Sequence, residues 1–287
     1  MNNCPQSCEL NNPEHKKRVW EIDFARGLLI LFVIFDHFMF DVSALGADFS
    51  SAFGQKLYIF SYEYYNAANY ETLIGNLREL TRYSFVMLFV FISGISSRFS
   101  KNNLVRGLRL LSFSIIFSVC VEVISAIEPS VEPIRFNVIH VLALCTLMYA
   151  GLSALYERCS RPLFKNLFIL FAGVFVIFAI LSGYYFLDHP YDGAIIGGLF
   201  VTPVNKIEYI ISPGDYLTLF PAAGFFLIGA FAGRKMYRDA STLFPSVNEK
   251  YLKPLTFVGR HSLFFYFGSQ VLMFGTLYLL GVKAAVL

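Results

Sequence analysis

Charge is what this chain has least of. Only 15% of its 287 residues are Asp, Glu, Lys or Arg and 56% are hydrophobic, against about 25% and about 45–50% in soluble globular proteins. The shortage excludes a water-soluble fold and points to an integral membrane protein. The ten-residue apolar/polar alternation of a membrane β-barrel is also missing, so the spans are expected to be helices. Cysteine is scarce: Cys120 and Cys145 fall inside apolar runs, while Cys4, Cys8 and Cys159 fall on the expected cytoplasmic side. Neither a disulfide framework nor a metal site is expected from that pattern. No G-x-x-x-x-G-K-[ST], G-x-G-x-x-G or H-E-x-x-H occurs, which leaves nucleotide hydrolysis, hydride transfer and zinc hydrolysis without support. No nucleic-acid partner is expected either. The first twenty residues lack an apolar core and a small-residue cleavage site, so the first span reads as an uncleaved anchor.

In place of charge the chain has long apolar runs. Windows of about 19 residues mark spans at 24–46, 83–98, 107–127, 136–156, 164–187, 215–233 and 262–282. The predicted fold is an all-α, polytopic membrane helix bundle of about seven transmembrane helices with a cytoplasmic N-terminus. Residues 1–18 form a polar cytoplasmic tail and residues 19–287 one transmembrane domain. Alternating crossings place 17 of the 23 Lys and Arg residues on the cytoplasmic side, in keeping with the positive-inside rule. Two outer connections are long. Residues 47–82 include an aromatic, amphipathic stretch suited to the membrane interface, and residues 188–214 have the Gly, Pro and Tyr content of a binding loop. Pro221 is expected to kink the sixth span, and the small residues after it allow close helix packing or room for a ligand.

Ionisable groups inside apolar spans are costly enough to be functional candidates. Asp36, His37 and Asp41 lie in the first span. His37 follows Arg26 by eleven residues, about 16 Å along a helix, which puts it near mid-membrane. Asp41, four residues on, shares its face. A carboxylate on one ring nitrogen would leave the other as a base, so the pair reads as a catalytic or proton-relay couple, or as a polar brace between helices. Asp36 points away and needs another partner. Asn137 and His140, three residues apart, read as a helix contact or as oxyanion donor and base. Glu122 either snorkels to the interface or pairs with Arg135 or Arg82. Asp215 opens the sixth span, where an acid favours the helix dipole and also faces the outer loops. Arg98, Arg106, Arg109, Arg234 and Arg260 cluster at cytoplasmic helix ends, satisfying the positive-inside rule and equally able to hold phosphates.

Four stretches occur in order: RVWEIDFARGLLILFVIFDHFMFD, SFVMLFVFISGISSRFS, IRFNVIHVLAL, and DYLTLFPAAGFFLIGAFAGR followed by FVGRHSLFFYFGSQ. Together they make the chain after its tail resemble bacterial membrane proteins with a heparan-alpha-glucosaminide N-acetyltransferase-like catalytic domain. The resemblance implies a transmembrane acyltransferase that moves an acyl group, acetyl above all, from cytoplasmic acyl-CoA to a sugar or glycan hydroxyl or amine on the far side. It places His37 at a first-helix position that eukaryotic relatives fill with Asn, and it matches Asp41, Asn137 and His140 to the bacterial pattern. Arg26, Arg106, Arg109, Arg234 and Arg260 then become candidates for the CoA phosphates, and Asp215 and Arg82 for the acceptor. One departure stands out: where the family often reads His-Gln near the end of the last span, this chain has Ser269-Gln270. The implied protein is a multi-pass protein of the inner or plasma membrane whose partners are lipids, a small-molecule donor and a glycan acceptor, with a homo-oligomer compatible. A proton-coupled transporter and a non-catalytic membrane subunit are the alternatives.

Overall fold

The computed structural model describes residues 19–44, 49, 51–65, 73–127, 132–212, 215–239 and 241–279. The tail at 1–18, with Cys4 and Cys8, lies outside them. Each apolar run folds as one long helix, because a helix satisfies its own backbone groups where water is scarce. The long helices are α1 (Trp20–Ala44), α3 (Leu73–Ser96), α4 (Asn103–Ile127), α5 (Val138–Arg158), α6 (Pro162–Asp188), α9 (Leu219–Met236) and α11 (Ser262–Leu279). Shorter ones lie between them: α2 (Ala52–Tyr65), α7 (Ile195–Gly198), α8 (Asn205–Ile211) and α10 (Lys253–Arg260). Among the described residues there is no β-strand. Three helices, α4, α5 and α6, are long and apolar enough to cross a membrane by length and composition. Large apolar side chains on α4 and α6, among them Ile116, Phe171 and Ile177, remain exposed, as expected of faces turned to lipid rather than water.

Among the described residues three apolar clusters hold the bundle, the smallest around Val42 and Phe49 between α1 and α2. The largest joins α3, α5, α6 and α9 around the fully buried Phe226, with Val90, Val141, Cys145, Ala179, Ala222 and Ala223. The second joins α1 and α3 through Ile22, Leu29, Ile92 and Ile95. Helix α9 fits because its inward residues are small. A Cβ at Gly229 would collide with the Phe91 carbonyl oxygen of α3, so glycine is what lets these backbones touch.

Two expectations change at α9. Phe220 leaves the helical region (φ −103°, ψ 135°), so Pro221 sits at the start of the regular helix, where its missing N–H costs nothing, rather than kinking the middle. Asp215 therefore lies ahead of the helix in an irregular segment, not in its first turn. That segment is tied down by Leu219 N–H to Leu199 O (2.9 Å) and Phe220 N–H to Phe200 O (2.7 Å).

A separate short helix precedes the last span. His261 separates the amphipathic α10 from α11 (φ −112°, ψ 28°), and α10 packs on the start of α1. Gly27 and Gly259 form the crossing point: a Cβ on Gly27 would strike the Leu255 carbonyl, and one on Gly259 the Asp23 carbonyl. At the same end Glu21 accepts from Thr242 Oγ1 (2.9 Å) and Leu243 N–H (2.7 Å), fastening the chain after α9 to α1. Burial and the Glu21 carboxylate beside it push the Tyr237 phenol up to about 12.

Candidate functional site

The geometry around His37 begins with its own helix. Nδ1 lies 2.8 Å from the Val33 carbonyl oxygen, which only accepts, so Nδ1 carries a proton and Nε2 of the neutral ring offers its lone pair. That lone pair faces the Tyr266 hydroxyl of α11 at 3.3 Å, and the two rings meet edge to face with centroids 5.5 Å apart. The expectation that Asp41 fixes the tautomer is corrected here: Val33 does so. Asp41 stays within electrostatic range of His37, but its Oδ2 is buried without a hydrogen-bond partner among the described residues.

The segment before α9 brings Asp215 to the same place. Its carboxylate interacts with the His37 ring and lies beside the Asn137 side chain, and Tyr266 interacts with both Asp215 and Asp41. Ser212 Oγ holds the Asp215 carbonyl at 2.5 Å and accepts from Arg135 N–H at 3.2 Å, which fixes Asp215 against the start of α5.

Asn137 caps α5. Its Oδ1 accepts from Ile139 N–H (3.1 Å), as an N-cap residue should, and its buried side-chain amide is directed at the Asp215 carboxylate as a donor. His140 closes a reciprocal capping box by accepting the Asn137 N–H at Nδ1 (3.3 Å). Its Nδ1 also lies 3.0 Å from Asn137 Oδ1, and its Nε2 lies 3.4 Å from Ser118 Oγ of α4. These contacts tie the start of α5 to α4 beside the site. On α11, one turn beyond Tyr266, Gln270 has a buried Nε2 without a partner among the described residues, while Ser269 Oγ turns back to the Tyr266 carbonyl (2.7 Å). Helices α1 and α11 run in the same direction, since Asp23 and Gly27 meet Gly259 and His37 meets Tyr266. Asp41 and Gln270 thus stand one turn further along the same pair of helices.

The other ionisable candidates separate from this centre. Asp36 finds its partner in the buried Arg78 of α3 (2.8 Å) and accepts from Tyr64 (3.0 Å), and the Tyr65 ring lies 3.8 Å from the Arg78 guanidinium. Glu122 takes a two-pronged bond from Arg135 (2.9 and 3.1 Å), the first of its two expected pairings. Arg82 sits over the Tyr83 ring (5.6 Å) and beside Glu208 of α8, whose carboxyl burial pushes up while Arg82 draws it back.

At the basic end the arginines sort into two groups. Asp23 bonds Arg260 (3.0 Å) and pairs with Arg26 (3.6 Å), and Arg26 also reaches Ser96 Oγ at the end of α3. Arg106 enters the same space with neutral partners, Ser97 Oγ (3.3 Å) and the Ser93 carbonyl (3.4 Å), close enough to Arg26 for repulsion. Arg234 instead donates to Tyr149 Oη (2.8 Å) and Ser153 Oγ (3.2 Å), binding α9 to α5, and Arg109 is exposed on α4. A groove of about 400 Å³ beside Arg260 is lined by Glu249, Lys253, Thr256 and Phe257. Among the described residues no group of His, Cys, Asp and Glu could hold a metal ion.

The sequence model of the family described as heparan-alpha-glucosaminide N-acetyltransferase, catalytic, matches residues 56–271, about three quarters of the chain. The chain belongs to this family. No curated protein and no solved structure matches it. The family match runs from α2 into α11 and takes in Asn137, His140, Asp215 and Tyr266. Helix α1, with His37 and Asp41, lies before it, so the matched region is narrower than the resemblance read from the sequence. What ties α1 to the family region is contact: Gly27 on Gly259, Asp23 on Arg260, and His37 on Tyr266. Membership makes this an acetyltransferase-type membrane protein.

Proposed function

We propose that the chain transfers an acyl group, acetyl above all, from cytoplasmic acyl-CoA to a hydroxyl or amine of a sugar or glycan on the far side of the inner or plasma membrane. The observation that carries the reading is the meeting of His37, Asp41, Asn137, Asp215 and Tyr266 from four parts of the chain, with buried polar atoms on Asp41 and Gln270 that no protein group satisfies among the described residues. Unsatisfied buried polar groups cost about 1–3 kcal/mol each, a cost that a bound substrate would offset.

In this mechanism His37 Nε2 takes the proton of the acceptor hydroxyl or amine as it attacks the thioester carbonyl. The C–S bond then breaks, CoA leaves as the thiol, and His37 returns the proton to the departing sulfur. The buried carboxylates of Asp41 and Asp215 favour the imidazolium formed midway. Asn137 Nδ2 is the donor placed to meet the carbonyl oxygen as its charge develops. Arg26, Arg106 and Arg260 take the CoA phosphates at the basic end, about 16 Å along α1 from His37. Arg234 and Arg109 fall outside that role, one bound to α5 and the other on an exposed face. The long helices among the described residues alternate in direction along the chain, which supports seven crossings, and the Lys and Arg distribution supports an inside N-terminus, with donor and acceptor approaching from opposite ends.

The test is acyl transfer from radiolabelled acetyl-CoA by purified protein in lipid nanodiscs. His37→Ala is expected to abolish turnover while expression and thermal stability hold; turnover close to wild type would falsify the assignment. A proton-coupled carrier is the second reading, favoured by the same buried His and Asp groups and by the helix breaks at Phe220 and His261. Calorimetry with CoA and acetyl-CoA separates the two, since a carrier of another solute has no reason to bind either.

A further inference from the structure

We infer that Tyr266 is a positioning residue for His37. This rests on the acyltransferase reading and goes beyond it, because the place of Tyr266 in the sequence does not show which side chain it meets. Three observations carry it. The Tyr266 hydroxyl stands 3.3 Å from Nε2, the nitrogen that the Val33 contact leaves as the base. The ring is buried, at 9% exposure, and packs edge to face on the imidazole. The helix before its own, α10, is anchored to α1 by the Gly27–Gly259 crossing and the Asp23–Arg260 ion pair.

The two bonds divide the work. Val33 settles which nitrogen carries the proton, and Tyr266 settles where the free lone pair points. The hydroxyl suits both states of the base because it can donate and accept. It donates to Nε2 in the resting site, swings off the lone pair as the acceptor's hydroxyl or amine takes its place, and accepts from Nε2–H once His37 has taken the acceptor's proton. The imidazolium is then held in place until it returns that proton to the leaving thiolate. Phenylalanine would keep the ring packing and lose both bonds.

Histidine-labelled protein, with the His37 resonances assigned by their loss in His37→Ala, provides a readout independent of turnover. Nitrogen NMR is expected to show the Nδ1–H tautomer with a hydrogen-bonded Nε2 in the wild type. In Tyr266→Phe the Nε2 signal is expected to move toward that of a free lone pair. The second arm is acyl transfer from acetyl-CoA to glucosamine as probe. Tyr266→Phe is expected to lower kcat by about tenfold or more, within the range of acid–base contributions, with KM nearly unchanged, and Tyr266→Gln, which keeps a donor, to recover part of the loss. A free Nε2 in the wild type overturns the inference, and so does a Phe variant with unchanged Nε2 signal and unchanged kcat. If the NMR shift appears and no variant transfers acetyl, the contact stands and the acyltransferase reading fails. Should the Phe variant not fold, the wild-type spectrum alone decides.

Discussion

Asn137 carries two duties that chemistry can separate. Its Oδ1 caps α5 through Ile139 N–H, and its Nδ2 faces the site. Serine keeps a capping oxygen and lacks the amide, so Asn137→Ser is expected to hold stability to within about 0.5 kcal/mol, as caps of similar strength do. Acetyl transfer, in contrast, is expected to fall by about a hundredfold, the scale of losing one oxyanion donor. Asn137→Ala is expected to lose the same activity and about 1 kcal/mol of stability besides. Thermal unfolding in detergent beside initial-rate kinetics reads both, and a serine variant with wild-type turnover would remove Asn137 from the chemistry. His37, Asp41 and Asn137 were legible as candidates because polar groups stand out in apolar runs. Tyr266 was not, since tyrosine is at home in such runs and its partner is 229 positions away. The tautomer was equally hidden: Asp41 has the right helical spacing, yet a backbone carbonyl one turn in the other direction took the bond.

At the scale of elements, the apolar runs marked the long helices to within a few residues at most ends, because length and apolarity decide what can lie in a membrane. Their junctions were harder to read. The break between α10 and α11 leaves an eight-residue amphipathic helix, and only the three-dimensional crossing explains why Gly27 and Gly259 are both glycine. Gly259→Leu is expected to force α1 and α10 apart, lowering stability by about 1–3 kcal/mol as overpacking does and weakening acetyl transfer through the displaced Tyr266. The Asp36–Arg78 pair makes a complementary case between α1 and α3. Arg78→Met leaves the Asp36 carboxylate, 25% exposed, without its ion partner, and is expected to destabilise by on the order of 3 kcal/mol, the lower range for breaking a buried pair. Asp36→Leu combined with Arg78→Met is expected to recover most of that loss, since an apolar pair suits the position. Denaturation midpoints of the two variants check it; equal midpoints would mean that the charge pair is not what joins these helices.

Across the whole molecule, charge and chemistry are kept at different depths, and the arginines show why their number alone says little. Five cytoplasmic-side candidates look alike in sequence, each at a helix end and each satisfying the positive-inside rule. Contacts tell them apart. Arg234 holds α9 to α5 through two hydroxyls; Arg260 is matched by Asp23; Arg106 has only neutral partners among the described residues and another guanidinium beside it. Two neighbouring cations repel, and a phosphate between them would turn that repulsion into attraction. Arg106→Gln is therefore expected to raise KM for acetyl-CoA by about tenfold, one charge-assisted bond of about 1.4 kcal/mol, with kcat little changed because His37 lies far along α1. The same variant is expected to flatten the salt dependence of KM, since screening acts on the charge that has been removed. Arg234→Gln, by comparison, is expected to leave KM in place and cost stability. Steady-state kinetics at low and high salt separate the cases: an Arg106 variant with unchanged KM would mean that the donor's phosphates dock elsewhere, and the Lys253–Arg260 groove would be the next place to substitute.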